Sequence, residues 1–125
     1  MNVLIYGNAR EKEILVQHMR SEACTAYRLI DYWHAVDYDT YLSLLRKQRF
    51  DIIFVMADNA EGMEGVIAAQ SVSPETAVIW FSNDKNFVAQ SYRLGVTYFA
   101  VKPIDERVIK LALERYQRKE EIIYE

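Results

Sequence analysis

The chain has 125 residues, of which 51% are hydrophobic and 26% are charged; this composition is that of an ordinary soluble domain and excludes a disordered or collagen-like chain. One domain of this length buries roughly two-thirds of the surface that its unfolded form exposes, so folding requires neither a metal nor a disulfide. The formal charge of −3, with acidic and basic residues interspersed, argues against direct nucleic-acid binding by this domain.

Five short segments have the composition of β-strands. Four of them are almost continuously apolar, as expected for strands that helices cover on both faces of a parallel sheet: Val3–Tyr6, Ile52–Met56, Ala77–Phe81 and Tyr98–Val101. The fifth segment, Ala26–Tyr32, includes charged residues. We therefore predict that it forms a strand at an edge of the sheet.

Helical periodicity occupies the stretches between these strands. In chain order, the predicted helices span Arg10–Ser21, Asp37–Arg49, Glu61–Gln70, Asp84–Leu94 and Asp105–Glu120. Asp37 or Asp39 is placed to cap the start of the second helix, and Gly95 is placed to end the fourth. The order is therefore a strand followed by a helix, repeated five times.

Strict alternation of strands and helices predicts parallel strands joined by right-handed crossovers, with helices on both faces of the sheet. The predicted fold class is therefore a doubly wound α/β domain. In this architecture, ligands and chemistry gather outside the carboxyl ends of the strands. The candidate site residues are those that follow the strands: Gly7–Arg10, Met56–Gly62, Ser82–Asp84 and Lys102–Pro103.

Several segments of the chain resemble parts of response-regulator receiver domains. Gly95–Pro103 resembles the fifth strand of that family, which ends in a Lys-Pro pair with an aromatic residue, here Phe99, three residues before the lysine. Phe50–Val55 and Gly62–Gly65 resemble the third strand and the turn behind it. Ser82 matches the family's Ser/Thr position after the fourth strand. The similarity extends over nearly the whole chain.

This resemblance implies a flavodoxin-like or CheY-like sandwich of five strand-helix units, (βα)5, with the strand order 2-1-3-4-5. It is also compatible with a cis peptide bond between Lys102 and Pro103, because proline lowers the cost of the cis form to about 1 kcal/mol. We expect the receiver-like domain to span residues 1–120. Residues 121–125 are expected to begin a linker or an extension towards an output domain.

The residues on which receiver phosphorylation depends are replaced in this chain. In working receivers, an aspartate at the end of the third strand accepts the phosphoryl group, and two acidic residues after the first strand help to hold a magnesium ion. The acidic pair corresponds to Gly7 and Asn8, and the acceptor aspartate corresponds to Met56, whereas Ser82 and Lys102 remain. The resemblance therefore implies a degenerate pseudo-receiver pocket with weak or no magnesium binding, no catalytic residue and no other cofactor or metal.

Asp58 is an acidic residue close to this pocket, and it leaves open an active receiver that is phosphorylated on Asp58. It lies about 6–7 Å beyond Met56 along an extended strand, but a bulge in the following loop would bring it inward. Lys102 is predicted to form a salt bridge with Asp58 or Glu61. A second alternative is a sensor that binds an anion or a small molecule at the carboxyl edge of the sheet, near Asn8, Ser82 and Lys102.

Other singled-out residues are assigned structural roles. Ser82 is predicted to cap the helix that begins near Asp84. Phe99 is predicted to be a fixed aromatic ring, because the phosphoryl trigger of the family's conformational switch is absent. His18 and His34 have no partner at metal-ligand spacing, so no metal site is predicted from them.

The last helix has an apolar face that is wider than packing on the sheet requires, which indicates either a second partner or a helix that is deeply embedded in the core. The stripe expected to face the sheet comprises Ile104, Val108, Leu111 and Ala112. Three residues widen this stripe and are predicted to form an interface: Ile109, Leu113 and Tyr116. We expect a protein partner or a second copy to bind the surface formed by the fourth helix, the fifth strand and the fifth helix.

Together these features predict an atypical receiver domain in bacterial signal transduction that works without phosphorylation, by dimerisation or partner docking, and is not an enzyme. Transcription regulation is the setting that the family suggests. Cys24 is a lone cysteine and has no internal disulfide partner. The apolar runs are far shorter than the about 20 residues of a membrane helix, so we expect a cytoplasmic location without membrane contact.

Overall fold

A computed structural model describes the backbone of residues 1–26 and 29–124 and the side chains of residues 1–21 and 29–118. Its strands are β1 (Asn2–Tyr6), β2 (Asp31–Ala35), β3 (Ile52–Val55), β4 (Ala77–Ser82) and β5 (Tyr98–Val101). All neighbouring strands are parallel, and their order across the sheet is β2-β1-β3-β4-β5. The predicted fold class and strand order are confirmed.

Five α-helices connect or follow these strands: α1 (Ala9–Ala26), α2 (Tyr38–Lys47), α3 (Asn59–Val72), α4 (Val88–Leu94) and α5 (Glu106–Tyr124). A short 3-10 turn, Lys85–Phe87, precedes α4, so the predicted fourth helix is divided into two pieces. Within the described residues, no helix has the length and apolar character needed to cross a membrane.

The edge strand was predicted in the right place in the sheet but with the wrong bounds. Ala26 belongs to α1, Tyr27 and Arg28 lie outside the described residues, and β2 begins only at Asp31. Pairing with β1 sets this register, because Asn2 lies opposite Asp31 and Tyr6 lies opposite Ala35. Asp31 is exposed and the next three side chains of β2 are only partly buried, as is typical of an edge strand.

The sheet separates two apolar cores. Alternate residues of β3 point to opposite faces, as the twofold period of a strand requires: Ile52 and Phe54 pack with α1 and α5, whereas Ile53 and Val55 pack with α2 and α3. All four of these residues are completely buried. This burial on both faces explains why the strand is continuously apolar.

Two of the predicted helix ends are confirmed. The Asp37 carboxylate accepts a hydrogen bond from the Thr40 backbone N–H at 2.8 Å and another from the Thr40 hydroxyl at 2.9 Å, so Asp37 caps α2. These bonds hold the pKa of Asp37 below its usual value. Gly95 ends α4 in the left-handed conformation, with φ of 66°, which glycine adopts without steric cost.

The structure corrects the predicted interface on α5. Ile109, Leu113 and Tyr116 are buried against the sheet together with Ala112, at the i, i+3, i+4 and i+7 spacing of one helix face. Leu111, which was assigned to the sheet-facing stripe, is instead 39% exposed. The helix is rotated relative to the prediction, so its widened apolar face is part of the core.

We predict that Leu113→Ala lowers the free energy of unfolding by about 2–5 kcal/mol, because it leaves a cavity in the core. Leu111→Ala is the matched control on the same helix and lowers it by less than about 1 kcal/mol, as is usual for an exposed site. Urea unfolding followed by circular dichroism measures both values. Equal losses for the two variants would contradict the observed orientation of α5.

Candidate functional site

The candidate site lies at the carboxyl edge of the sheet, where the loops after β1, β3, β4 and β5 meet. Lys102 follows β5 directly, and its peptide bond with Pro103 is cis, as the resemblance allowed. The side chain of Lys102 is 12% exposed and extends across the end of the sheet to the loop after β3. The site is therefore organised around a nearly buried ammonium group.

Three oxygen atoms surround the ammonium nitrogen of Lys102. Nζ lies 2.6 Å from the carbonyl oxygen of Met56, 2.7 Å from Oδ1 of Asp58 and 2.8 Å from Oε1 of Glu11. An ammonium group has three N–H donors, so these three acceptors satisfy it completely. The predicted salt bridge with Asp58 is present, whereas Glu61 makes no ion pair with Lys102 among the described side chains.

Glu11 was missed by the sequence analysis, and Asn8 holds it in place. The Asn8 side-chain oxygen accepts a hydrogen bond from the Glu11 backbone N–H at 2.8 Å, and its amide nitrogen donates to Oε1 of Glu11 at 2.7 Å. A capping residue followed three positions later by glutamate is a known signature of a helix start. That spacing was the available signal for Glu11.

Gly7 and Met56 face each other across the ends of β1 and β3. A Cβ atom added to Gly7 would lie 2.9 Å from Cβ of Met56, closer than two carbon atoms normally approach. The Met56 side chain is 1% exposed and belongs to the core between the sheet and α1. The positions matched to the acidic pair and the phosphoryl acceptor therefore include a glycine without room for a side chain and a buried thioether.

Asp58 lies immediately before α3, and the following residue has an unusual backbone conformation. Asn59 has φ of 58°, which asparagine tolerates better than most residues. Its backbone N–H donates to the side-chain oxygen of Asn83 at 2.9 Å, and the amide of Asn83 donates to Oδ1 of Asn59 at 3.0 Å. This amide pair joins the loops after β3 and β4 next to Asp58, which is 47% exposed and reaches Lys102.

Lys102, Glu11 and Asp58 form an ion cluster. Among the described residues, no side-chain hydrogen bond joins Ser82 or Phe99 to this cluster. Ser82 is completely buried, and its hydroxyl oxygen accepts from the Asp84 backbone N–H at 3.1 Å. Asp84, rather than Ser82, caps the 3-10 turn by accepting from the Asn86 backbone N–H, which corrects the predicted role of Ser82. The ring of Phe99 packs edge-to-face on Trp80 at 5.1 Å; its fixed conformation stays a prediction.

A cavity of about 470 Å³ opens beside the cluster. It is lined by Gly7, Asn8, Val36, Met56, Ala57, Asp58, Asn59, Ala60 and Glu61. Its charged lining residues are both acidic, and the Lys102 side chain is not part of the wall. The described side chains include no group of three or more histidine, cysteine, aspartate or glutamate residues placed to hold a metal ion.

Two tyrosine residues contact α3, the helix whose first residues line the cavity. The Tyr41 hydroxyl is buried and donates to the Gly65 carbonyl oxygen at 2.6 Å, and the Tyr41 ring stacks on Tyr6 at 4.2 Å. Gly65 permits this approach, since a Cβ atom there would lie 2.9 Å from the Tyr6 ring. Burial raises the pKa of Tyr6, with a smaller contribution from nearby carboxylates. The Tyr41 hydroxyl therefore joins α2 to α3.

No protein-family model and no curated protein sequence matches this chain. Several solved structures match it. A CheY-like receiver domain protein from Methanospirillum hungatei has a TM-score of 0.77 and 16% identity, covering 96% of each chain. The chemotaxis response regulator CheY4 of Vibrio cholerae has a TM-score of 0.71 and 19% identity, covering 92% of this chain and 97% of its own.

A CpaE2 pilus assembly protein from Sinorhizobium meliloti is also similar, with a TM-score of 0.71 and 16% identity over 93% of this chain and 99% of its own. The similar structures thus include both response regulators and a protein named for pilus assembly. At these identities the likeness establishes the fold. The chain therefore has the CheY-like receiver fold, and what it does must be argued from its own residues.

The exposure of the two carboxylates in the ion cluster predicts that substituting Glu11 lowers the free energy of unfolding more than substituting Asp58. Glu11→Gln removes a carboxylate that is 21% exposed and held by Asn8, so we expect it to lower the free energy of unfolding by about 1–2 kcal/mol. Asp58→Asn changes a carboxylate that is 47% exposed, and we expect a loss below about 1 kcal/mol.

Chemical denaturation measures both losses. Glu13→Gln is the control, because Glu13 is an exposed neighbour that pairs only with Lys12 among the described side chains, and it should leave stability unchanged. If Glu11→Gln behaves like this control, the cluster is not an organising contact of the site.

Proposed function

We propose that this chain is an atypical receiver domain, a pseudo-receiver of bacterial signal transduction, that works without phosphorylation and acts by contacting a protein partner. One observation carries the proposal: all three N–H donors of the Lys102 ammonium are used by Glu11, Asp58 and Met56 of the same chain. A lysine in this state has no free donor for an incoming phosphoryl group. The chain is accordingly proposed to be a binding module, not an enzyme.

The chemistry of phosphoryl transfer supports this proposal. The developing charge requires an acceptor oxygen, a divalent cation and a positively charged side chain. Met56 supplies no acceptor oxygen from its side chain, and Gly7 has no room for a metal-binding carboxylate. Glu11 and Asp58 are already neutralised in part by Lys102. These residues do not fit a magnesium site, so weak or absent magnesium binding is part of the proposal.

Exposure of Asp58 favours the alternative, an active receiver that accepts phosphate on that residue. Its side chain is 47% exposed and therefore reachable by a phosphodonor. Two features count against it: Oδ1 is bound to Lys102, and the neighbouring wall of the cavity adds Glu61 and no cation. The same acidic wall disfavours an anion sensor, because a bound anion would face two carboxylates.

A docking surface is proposed on α4, β5 and α5, with different residues from those first predicted. Its exposed apolar side chains are Val88, Tyr92, Val101 and Leu111. Val88 and Tyr92 also line a cavity of about 440 Å³ whose one charged lining residue is Arg115. An apolar groove with a single cation fits a partner segment that carries apolar residues and a carboxylate. The proposed setting is cytoplasmic, without contact to DNA or membrane, and the proposed output is transcription regulation.

Acetyl phosphate with magnesium tests phosphorylation independence. We expect intact-mass analysis to show no labile phosphoryl adduct on the wild-type chain, because Lys102 has no free donor and Met56 has no acceptor oxygen in its side chain. Intrinsic tryptophan fluorescence should also stay unchanged. Asp58→Asn is the control. A wild-type adduct that disappears in this variant would establish the active-receiver alternative and contradict the proposal.

A displayed library of random peptides tests the docking surface. We expect selected peptides to combine aromatic or aliphatic residues with a carboxylate, and Arg115→Gln to weaken their binding by about tenfold, as measured by fluorescence polarisation. Lys110→Gln is the matched control, since Lys110 is an exposed cation elsewhere on α5 and outside the groove. Binders that tolerate both Arg115→Gln and Tyr92→Ser would place docking elsewhere.

A further inference from the structure

The strand β5 forms one edge of the sheet, because β4 alone lies beside it among the described strands. Its pairing with β4 runs from Tyr98 opposite Ile79 to Val101 opposite Ser82. Among the described residues, no hydrogen bond from outside the β4 ladder reaches the backbone of Tyr98–Val101. Alternate N–H and C=O groups of a strand point to opposite sides in the plane of the sheet. Those of β5 that point away from β4 are therefore open to another strand.

The residues of β5 are more accessible than those of the inner strands. Every residue of β3 and β4 is buried, whereas Val101 of β5 is 40% exposed and the other three residues are only partly buried. Ala100 has only a methyl group as its side chain, so its partial exposure means that the described parts of α4 and α5 do not cover the strand there. The edge of β5 can thus be reached from solvent.

The two edges of the sheet differ in the features that prevent pairing with another chain. Natural edge strands are commonly protected by charged side chains or by proline. The other edge strand, β2, begins with the exposed Asp31 and includes His34, a residue that can take up a charge. The four residues of β5 include neither a charged residue nor a proline, and three of them are aromatic or β-branched, which favours strand pairing. The less protected edge is therefore that of β5.

The cavity of about 440 Å³ at the docking surface lies along this edge. Its lining includes the consecutive residues Gly95–Phe99, which form the start of β5 and the turn before it. Val88 and Tyr92 contribute to the wall from α4, and Arg115 contributes from α5. Residues next to α4 pack with the core on one face of the sheet, and α5 packs with the core on the other. The cavity is therefore a groove that follows the strand edge between two helices.

We infer that β5 pairs with an extended segment of a partner protein, which adds a sixth strand to the sheet. Unpaired backbone N–H and C=O groups are complementary to the backbone of another strand, whereas a docked helix has already used its own groups internally. The inference rests on the proposed docking surface and specifies how that surface is used. Because β5 has four residues and a length of about 13 Å, the pairing gives a short and reversible contact.

The two walls of the groove determine which side chains the segment carries. Side chains of a strand alternate between its two faces, so one set meets Val88 and Tyr92 of α4 and the other set meets Arg115 of α5. We therefore expect a segment in which apolar residues alternate with polar ones and in which a carboxylate lies opposite Arg115. Since Arg115 lines the groove together with the start of β5, this carboxylate belongs near one end of the segment.

An N-methyl scan tests the inference on the peptides selected against the docking surface. Each N-methyl group removes one backbone donor of the peptide and leaves the side chains unchanged. Only alternate N–H groups of a paired strand face β5, so we expect N-methylation at every second position to weaken binding by about tenfold, as measured by fluorescence polarisation. The intervening positions are the matched controls. Alanine substitution along the peptide should show the same period of two.

Amide hydrogen exchange of the ¹⁵N-labelled chain gives the readout on the protein side. With such a peptide bound, the β5 amides that do not donate to β4 should exchange at least about tenfold more slowly, whereas the amides of the opposite edge strand, β2, should not change. Peptides whose binding depends on Arg115 and Tyr92, but which leave the β5 amides unprotected and lose affinity with a period of about 3.6 residues, would overturn the inference. The proposed docking surface would then stand.

Two other outcomes also count against strand addition. Protection of the β5 amides without peptide, at concentrations where the chain dimerises, would assign the edge to a second copy and overturn the inference. A library that yields no peptide sensitive to Arg115→Gln or Tyr92→Ser would contradict the docking surface itself, and the inference with it.

Discussion

The contact between the Lys102 ammonium and its three oxygen acceptors connects the elements of the carboxyl edge. It joins the loop after β5 to the first turn of α1 through Glu11, and to the loop after β3 through Met56 and Asp58. Because the cation is only 12% exposed, removing any acceptor would leave a charge poorly compensated. One side chain thereby holds these three segments in a single arrangement.

Packing and electrostatics are coupled at this site, because the close packing of Gly7 and Met56 determines where carboxylates can lie. The absence of a side chain at Gly7 allows the end of β1 to approach Met56, and Met56 extends the apolar core to the rim of the sheet. A carboxylate at either position would be buried next to apolar atoms, which is costly without a cation. Carboxylates are instead supplied by Glu11 and Asp58, which lie further out and satisfy the lysine. The charges at the carboxyl edge of the sheet therefore compensate one another within the chain.

Much of the fold could be predicted from sequence because burial on both faces leaves a simple pattern. The apolar strands such as β3 and the alternation of strands and helices led directly to the observed sheet. The pairing of Lys102 with Asp58 followed from their positions at strand ends. Glu11 escaped notice because it belongs to no strand end and reaches the site through Asn8. The apolar stripe of α5 is broad enough to fit two orientations of the helix, so the sequence did not determine how the helix is rotated. The prediction therefore placed Leu111 against the sheet and Leu113 at an interface, whereas the structure buries Leu113 and exposes Leu111.

Nuclear magnetic resonance of the lysine ammonium groups tests the central claim most directly. In a chain with ¹⁵N-labelled lysine, the Lys102 ammonium should give a sharp signal at neutral pH, because three hydrogen bonds slow its exchange with water. Arg substitution at this position assigns the signal. We predict that millimolar magnesium and beryllofluoride leave its chemical shift unchanged. An ammonium signal that is lost to exchange, or that moves when these ions are added, would show that Lys102 is free to bind an external ligand.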